Sequence, residues 1–466
     1  MKESQLGIIG MGVMGKSLAL NALDKGLSVS VYNRDTLAEK EVIPDFQTQA
    51  NHPALQGFTN LEAFVNSLQK PRKILLMVTA GNAVDGVLGN LTSLLSKGDI
   101  LMEGGNSYYR DTQRREKHMQ SKEVHYLGIG ISGGEAGALN GPSLMAGGNM
   151  EAYELVKPLL EKIAAKDTNL QPCVSLLGPN GAGHFVKTIH NGIEYAEMQL
   201  LAEVYALLRP SLSQEEIYEV LLSWNEGPTS SFLLETTLGI LQTKEEDAFL
   251  LPKVLDVAKS KGTGTWSGEA ALRYGVPATL LIQAVMARAV SNRKDLRVSL
   301  EEKLDDTPFE ATVDTEKLKM AYQFARILNH AQGMELISET SKEEKWNINL
   351  FEVTRVWSNG CILRSQLIEE LTAILQKQPS LLEASKIYTS LVQWEGAVNE
   401  TLIASMEQRT PLPCMSSALQ YWYGMTTANS SANLIQAQRD AFGAHTFQRN
   451  DRPSSDFFTS SWNLNG

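Results

Sequence analysis

The sequence predicts an α/β domain followed by a large all-α domain and an irregular tail, and three observations carry that expectation. A strand, a glycine turn and a helix open the chain and lead into further strand-helix alternation. From Gly181 onward strand patterns give way to long helical periodicities, and within that helical region a short motif recurs. The expected boundaries are 1–180, 181–438 and 439–466.

Leu6-Gly-Ile8-Ile9 reads as a strand, Gly10-Met11-Gly12-Val13-Met14-Gly15 as a turn, and 17–23 as a helix that Gly26 ends. In that setting the GxGxxG spacing is a Rossmann-type dinucleotide fingerprint. Its first two glycines allow a tight turn and close approach to a pyrophosphate, and its third lets the helix pack on the strand. The next strand, 27–32, ends at Asn33-Arg34, where an NAD site usually carries an acid. An amide followed by a guanidinium suits a ribose 2′-phosphate, hence NADP, with a solvated loop arginine as the other reading. Asp35 next door opposes the inference, which leaves NAD as a weaker or alternative acceptor.

Segments 73–78 and 99–102 read as strands, with a helix at 84–95 between them. The glycine-rich segments 103–107 and 128–135 read as loops after strands, where open α/β sheets meet their ligands. Asn106 and Ser132 would then face a substrate beside the nicotinamide, with the N–H groups of Gly133 and Gly134 free for a carboxylate. Ordinary turn chemistry explains either loop equally well.

The stretch 183–195 places Lys187, His190, Asn191, Glu194 and Tyr195 at i, i+3, i+4, i+7 and i+8, one face of a helix, with Val186, Ile189, Ile193 and Ala196 among the intervening positions. A polar stripe inside apolar wrapping is an active-site candidate, Lys187 as base and Glu194 as acid; a solvated amphipathic face is the alternative. Further on, Glu219-Val220, Trp224 and Gly227 recur as Glu352-Val353, Trp357 and Gly360, each 133 positions later, which predicts an internal duplication. Lys261, Arg288, Arg439 and His445 are the candidates for a phosphate pocket, although each alone reads as a surface charge. The tail keeps Phe457, Phe458 and Trp462, aromatic groups that docking on a second subunit would bury, so a dimer is expected.

Composition sets the outer limits. With 43% hydrophobic and 20% charged residues over 466 positions, the chain reads as globular with more than one domain. The net charge of −11 argues against nucleic-acid or anionic-membrane partners. No membrane span or signal peptide is visible, so a cytoplasmic location is expected, and Cys173, Cys361 and Cys414 form no metal-binding pattern.

Together these motifs resemble the decarboxylating 6-phosphogluconate dehydrogenases along the whole chain. The specific blocks are Gly104-Gly-Asn-Ser107, Ser132-Gly-Gly-Glu135 with Gly141-Pro-Ser-Leu-Met145, 181–195, Lys261-Gly-Thr-Gly264 and 432–446. The resemblance implies a dinucleotide domain, a helical domain and a tail threaded into the partner of a homodimer. It implies oxidative decarboxylation of 6-phospho-D-gluconate to D-ribulose 5-phosphate and CO2 with reduction of NADP, in gluconate utilization and the oxidative branch of the pentose phosphate pathway, without a metal. Lys187 would take the C3 hydroxyl proton and later hydrogen-bond the enediol oxygen, and Glu194 would protonate C1.

Matched substrate positions are Asn106, Ser132, Gly133, Gly134, His190, Asn191, Tyr195, Lys261 and Arg288, with Arg439 and His445 from the neighbouring chain. The cofactor set is Gly10, Met11, Gly12, Val13, Met14, Gly15, Asn33, Arg34, Asp35, Val78, Thr79, Ala80 and Asn106. Three positions depart from the family pattern: Asp35 stands for a common threonine, and Thr79 and Thr265 for common lysines. The first two weaken the case for strong NADP preference. A β-hydroxyacid dehydrogenase of the 3-hydroxyisobutyrate type shares the glycine fingerprint but is much shorter and lacks the second helical repeat. A non-catalytic nucleotide sensor would not need the Lys187 and Glu194 pair.

Overall fold

Strands that are apolar on both sides demand cover on both faces, and that requirement organises the first half of the chain. The computed structural model describes residues 3–260, 262–304 and 313–462. The first half runs β1 (Leu6–Ile9), α1 (Val13–Asp24), β2 (Val29–Tyr32), α2 (Val42–Ala50), β3 (Leu55–Phe58), α3 (Leu61–Asn66), β4 (Lys73–Leu76) and α4 (Asn82–Leu91). It continues through β5 (Ile100–Glu103), α5 (Tyr109–Gln120), β6 (His125–Ser132), α6 (Gly134–Asn140), β7 (Ser143–Gly148), α7 (Met150–Ile163) and β8 (Val174–Gly178). The strands form one sheet in the order β3-β2-β1-β4-β5-β6-β7-β8, with β6–β7 its antiparallel pair. Adjacent residues point to opposite faces: Ile8 joins Leu18 and Ala19 in one core, Ile9 joins Phe64 and Val84 in the other.

From β1 the chain steps one way to β2 and β3 and the other way from β4 onward, so the switch between β1 and β4 opens a crevice above their carboxyl ends. One expectation is corrected here. Residues 128–132 do not form a loop; they belong to β6, and their glycines make room for a helix. A Cβ on Gly128 would lie 2.9 Å from His184 Nδ1, and one on Gly130 would lie 2.5 Å from Lys187 Cβ.

That helix is α8 (Ala182–Leu208), 27 residues and about 40 Å long. It is buried over nearly its whole length, packed against β6, β7 and later helices. After it come α9 (Gln214–Asn225), α10 (Phe232–Gln242), a short β9–β10 hairpin (Lys244–Glu245 and Ala248–Phe249), α11 (Thr263–Tyr274), α12 (Thr279–Ser291) and α13 (Lys294–Glu301). The second long helix, α14 (Thr315–Glu343), is followed by α15 (Leu350–Trp357), α16 (Gln366–Leu375), α17 (Ser385–Glu407), α18 (Pro413–Met425) and α19 (Ala432–Gly443).

The recurring motif falls on α9 and α15, each the first helix after a long one. The two repeats meet at an antiparallel bridge between Ser231 and Ser365, which cap α10 and α16 by accepting from Leu234 N and Ile368 N. Phe232 N donates to Arg364 O and Gln366 N to Ser230 O, the pair of hydrogen bonds that makes this antiparallel bridge. Trp224 stacks on Tyr322 of α14, whereas Trp357 packs edge-on against His190 of α8. Each repeat's tryptophan therefore supports the other repeat's long helix.

The chain separates into two compact units, Met1–Ala418 and Leu419–Gly466. In the second, the Asp440 carboxylate accepts from Thr446 N, Thr459 Oγ1, Ser460 N and Trp462 Nε1. Phe447 bridges to Phe458 and lies 5.7 Å from the Trp462 ring. The tail thus supplies some of its own aromatic packing, while Phe457 remains exposed.

Candidate active site

Lys187 is buried where α8 crosses β6. Burial pushes its amine below the ordinary lysine range, against the opposing pull of the Glu194 carboxylate. Its Nζ lies 3.2 Å from His190 Nδ1, and His190 Nε2 lies 3.1 Å from Ser132 Oγ at the end of β6. An ammonium at Lys187 donates to Nδ1, which leaves the ring proton on Nε2 to be donated to Ser132. Burial, together with the lysine's charge, holds the imidazole neutral, and Trp357 fixes its plane at 5.3 Å.

One turn further along, Glu194 Oε2 lies 3.6 Å from His190 Nδ1. Burial raises its carboxyl above the ordinary range, while Lys187 and Arg288 oppose the shift. The helix therefore presents an amine biased toward its neutral form and a carboxyl biased toward its acid form, on either side of a neutral imidazole. Asn191 is buried beside them, and the Tyr195 hydroxyl lies 3.3 Å from Ser260 Oγ. The Arg288 guanidinium lies 3.5 Å above the Tyr195 ring, which places a cation at the far end of the stripe. Gly133 and Gly134 follow Ser132 at φ 118° and 62°. A Cβ on Gly133 would meet Gly360 O at 2.5 Å, so the second repeat's turn seats this corner. Lys261, expected in the same cluster, lies outside the described residues.

The cofactor candidates gather at the switch point. A cleft of about 640 Å³ is lined by Gly10, Met11, Gly12, Asn33, Arg34, Val78 and Thr79, with Tyr32 and Glu39. Gly10 has φ 95°, and a Cβ there would meet Met77 O at 2.5 Å; one on Gly15 would meet Gly10 O at 2.0 Å. By contrast a Cβ on Gly12 meets nothing within 4 Å, so that glycine leaves the cleft floor clear for a close-lying pyrophosphate. Asn33 Oδ1 accepts from Met11 N and ties the end of β2 to the glycine turn. Val13 and Met14 begin α1; Asp35 is exposed and, like Ala80, is not part of the lining.

Asn106 sits exposed on the turn after β5. That turn abuts the cofactor side, since a Cβ on Gly105 would lie 3.0 Å from Val78 O. Beneath both turns lies Arg115, which sequence reasoning missed. Its guanidinium grips Asp85 with two bonds of 3.0 Å, donates to Gly81 O at 3.0 Å and to Glu103 at 2.9 Å. Glu103 also accepts from Ser107 and Tyr126. Glu39 and Trp357 were missed as well, although the tryptophan's place in the repeat was a signal. Arg439 and His445 are exposed within the second unit, where Arg439 Nη1 donates to Gln436 Oε1 at 3.1 Å.

Residues 5–178 match the NAD binding domain of 6-phosphogluconate dehydrogenase, and residues 183–462 match the 6-phosphogluconate dehydrogenase C-terminal domain. The NADP(+)-dependent decarboxylating 6-phosphogluconate dehydrogenase of Bacillus subtilis (strain 168) is 41% identical over 464 residues, covering 97% of this chain and 98% of that one. The decarboxylating enzyme of Lactococcus lactis subsp. cremoris (strain MG1363) is also 41% identical over 464 residues, with the same two coverages of 97% and 98%. A solved Plasmodium falciparum 6-phosphogluconate dehydrogenase, described in apo form and in complexes with NADP+ and 6-phosphogluconate, superposes with a TM-score of 0.92. It is 35% identical and covers 98% of this chain and 100% of its own.

Proposed function

The chain belongs to the 6-phosphogluconate dehydrogenase family, and from that premise we propose how its residues divide the work. It oxidises and decarboxylates 6-phospho-D-gluconate to D-ribulose 5-phosphate and CO2, reducing NADP to NADPH. Of the residues that line the cleft, Gly10, Met11 and Gly12 would hold the pyrophosphate, Asn33 and Arg34 the ribose end, and Val78 and Thr79 the wall beside them. When bound, NADP supplies the hydride acceptor.

Neutral Lys187 takes the proton of the C3 hydroxyl as C3 gives up its hydride, leaving a 3-keto acid and an ammonium. The C1–C2 bond then breaks, CO2 departs and the electron pair passes into an enediolate. The Lys187 ammonium donates to the developing oxygen charge and neutralises it. Glu194, in its acid form, delivers a proton to the carbon that becomes C1 of ribulose 5-phosphate. His190 keeps the amine in place through its bond to Ser132. Asn106, Ser132, Gly133, Gly134 and Asn191 hold the sugar acid. Tyr195, Lys261 and Arg288 take its phosphate, joined by Arg439 and His445 from a second subunit.

The observation that carries this assignment is the placement of an amine and a carboxyl around one buried imidazole, Lys187 Nζ 3.2 Å and Glu194 Oε2 3.6 Å from His190 Nδ1, with burial pushing the amine down and the carboxyl up. The partition into 1–180, 181–438 and a docking tail 439–466, the homodimer, the cytoplasmic location and the place in the oxidative pentose phosphate branch belong to the same proposal. Among the described residues no helix is long and apolar enough to cross a membrane. The test is an assay of CO2 and reduced cofactor with 6-phosphogluconate, and with 3-hydroxyisobutyrate as control. Equimolar CO2 and NADPH with the first substrate alone is the expected result; turnover of the second without CO2 would overturn it.

A further inference from the structure

The turn after β2 holds an acid directly on the cation that the cofactor's phosphate needs. Glu39 Oε2 accepts from Arg34 Nε at 2.9 Å and Oε1 from Arg34 Nη2 at 2.7 Å, the two-pronged fit that a phosphate makes with the same fork. Glu39 Oε2 also accepts from Asn33 Nδ2 at 3.0 Å. That amide has no freedom to turn away, because its Oδ1 is fixed by Met11 N at 3.1 Å. Glu39 lines the cleft, while Arg34 keeps a side-chain exposure of 71% and is open to a competing anion. Neighbouring charges do not make up the deficit. Asp35 adds a second carboxylate, Thr79 adds no cation, and Lys40 lies 3.6 Å from Glu41.

We propose that Glu39 sets the cofactor specificity of this chain by occupying the Arg34 fork, so that a 2′-phosphate must displace a carboxylate that a free ribose 2′-hydroxyl leaves in place. A hydroxyl can donate to Glu39 without disturbing its bonds to Arg34. A phosphate brings like charge to the same spot and must release Glu39 from both Arg34 and Asn33. The effect narrows the gap between NADP and NAD by penalising the former, which is discrimination by repulsion. The inference rests on the cofactor cleft assigned above.

The experiment measures dissociation constants of NADP+ and NAD+ by isothermal titration calorimetry, without substrate, for the full-length wild type, Glu39→Gln, Glu39→Ala and Arg34→Ala. Both Glu39 variants are expected to bind NADP+ about tenfold more tightly and NAD+ no more tightly than wild type. Arg34→Ala is expected to lose about tenfold in NADP+ affinity. Unchanged or weaker NADP+ binding by both Glu39 variants, with the Arg34→Ala loss intact, overturns the proposal alone. Tightening of both cofactors in parallel also overturns it, since that reports a looser pocket. If Arg34→Ala binds NADP+ like wild type, the cleft assignment falls and the proposal with it.

Discussion

Gly130 and Lys187 are in contact with no room for a methyl group between them: a Cβ on Gly130 would lie 2.5 Å from Lys187 Cβ and 3.0 Å from Gly183 O. The catalytic candidate is therefore positioned by the backbone of β6. Gly130→Ala must push α8 off the strand, and overpacking of this kind costs about 1–3 kcal/mol. The expected outcome is a lower urea midpoint and a fall in kcat of at least about tenfold, since small misplacements of a reacting group are amplified in rate. Retention of both values would mean that the helix shifts without consequence for Lys187.

Lys187→Met should lower oxidation by about 10²–10⁴-fold, the usual contribution of a positioned base, while substrate binding measured by calorimetry survives. Glu194→Gln should retain hydride transfer better than release of ribulose 5-phosphate, because its proton is needed last. The pH profiles carry the sign. The productive state has Lys187 neutral and Glu194 protonated, so kcat falls toward acid as the amine takes a proton and toward base as the carboxyl loses one. Removing the carboxyl in Glu194→Gln abolishes the basic limb and leaves the acidic limb in place. A variant that keeps both limbs would remove Glu194 from the acid role.

Much of this site was legible because its signals are local. The glycine turn at 10–15 and the stripe from Lys187 to Tyr195 are spacings along one element, and period alone groups them. The paired tryptophans 224 and 357 likewise marked equivalent helices. Gly128 and Gly130 misled, because a glycine in sequence signals a turn as readily as close approach by another backbone. Arg115 gave no signal, since Asp85, Gly81 and Glu103 come together only once β4 and β5 are side by side. Glu39 was hidden for a related reason: its contact with Arg34 depends on the path of the turn after β2.

The clamp at Arg115 has its own acid signature. Hydrogen bonds from Arg115, aided by Arg114, hold the Asp85 carboxyl down from 3.8 to about 2. A carboxyl depressed in the folded state contributes stability above its unfolded value and loses it as pH falls through the folded one. Asp85→Asn should therefore be less stable than wild type near neutrality, and the gap should close as pH falls from 3.8 through about 2. Chemical denaturation across that range checks it; a gap independent of pH would show that the ionised carboxylate contributes nothing. Arg115→Met is the harsher change, costing about 3–5 kcal/mol, because it strands the buried Glu103.

Whether the tail completes a neighbouring site is decided by mixing two inactive chains. Arg439 and His445 lie in the unit 419–466, and the proposed dimer has each tail serve the other subunit's Lys187. A Lys187→Met chain then lacks its own base but still lends a normal tail, and an Arg439→Ala chain keeps its base but lends a defective tail. In the mixed dimer the site built on the Arg439→Ala chain has both an intact lysine and an intact borrowed arginine. Random reassociation makes half the dimers mixed, each with one complete site, so activity should recover to about a quarter of wild type. Were Arg439 to act within its own chain, every site in the mixture would lack either the lysine or the arginine. No activity would return, although size-exclusion chromatography would still show dimers.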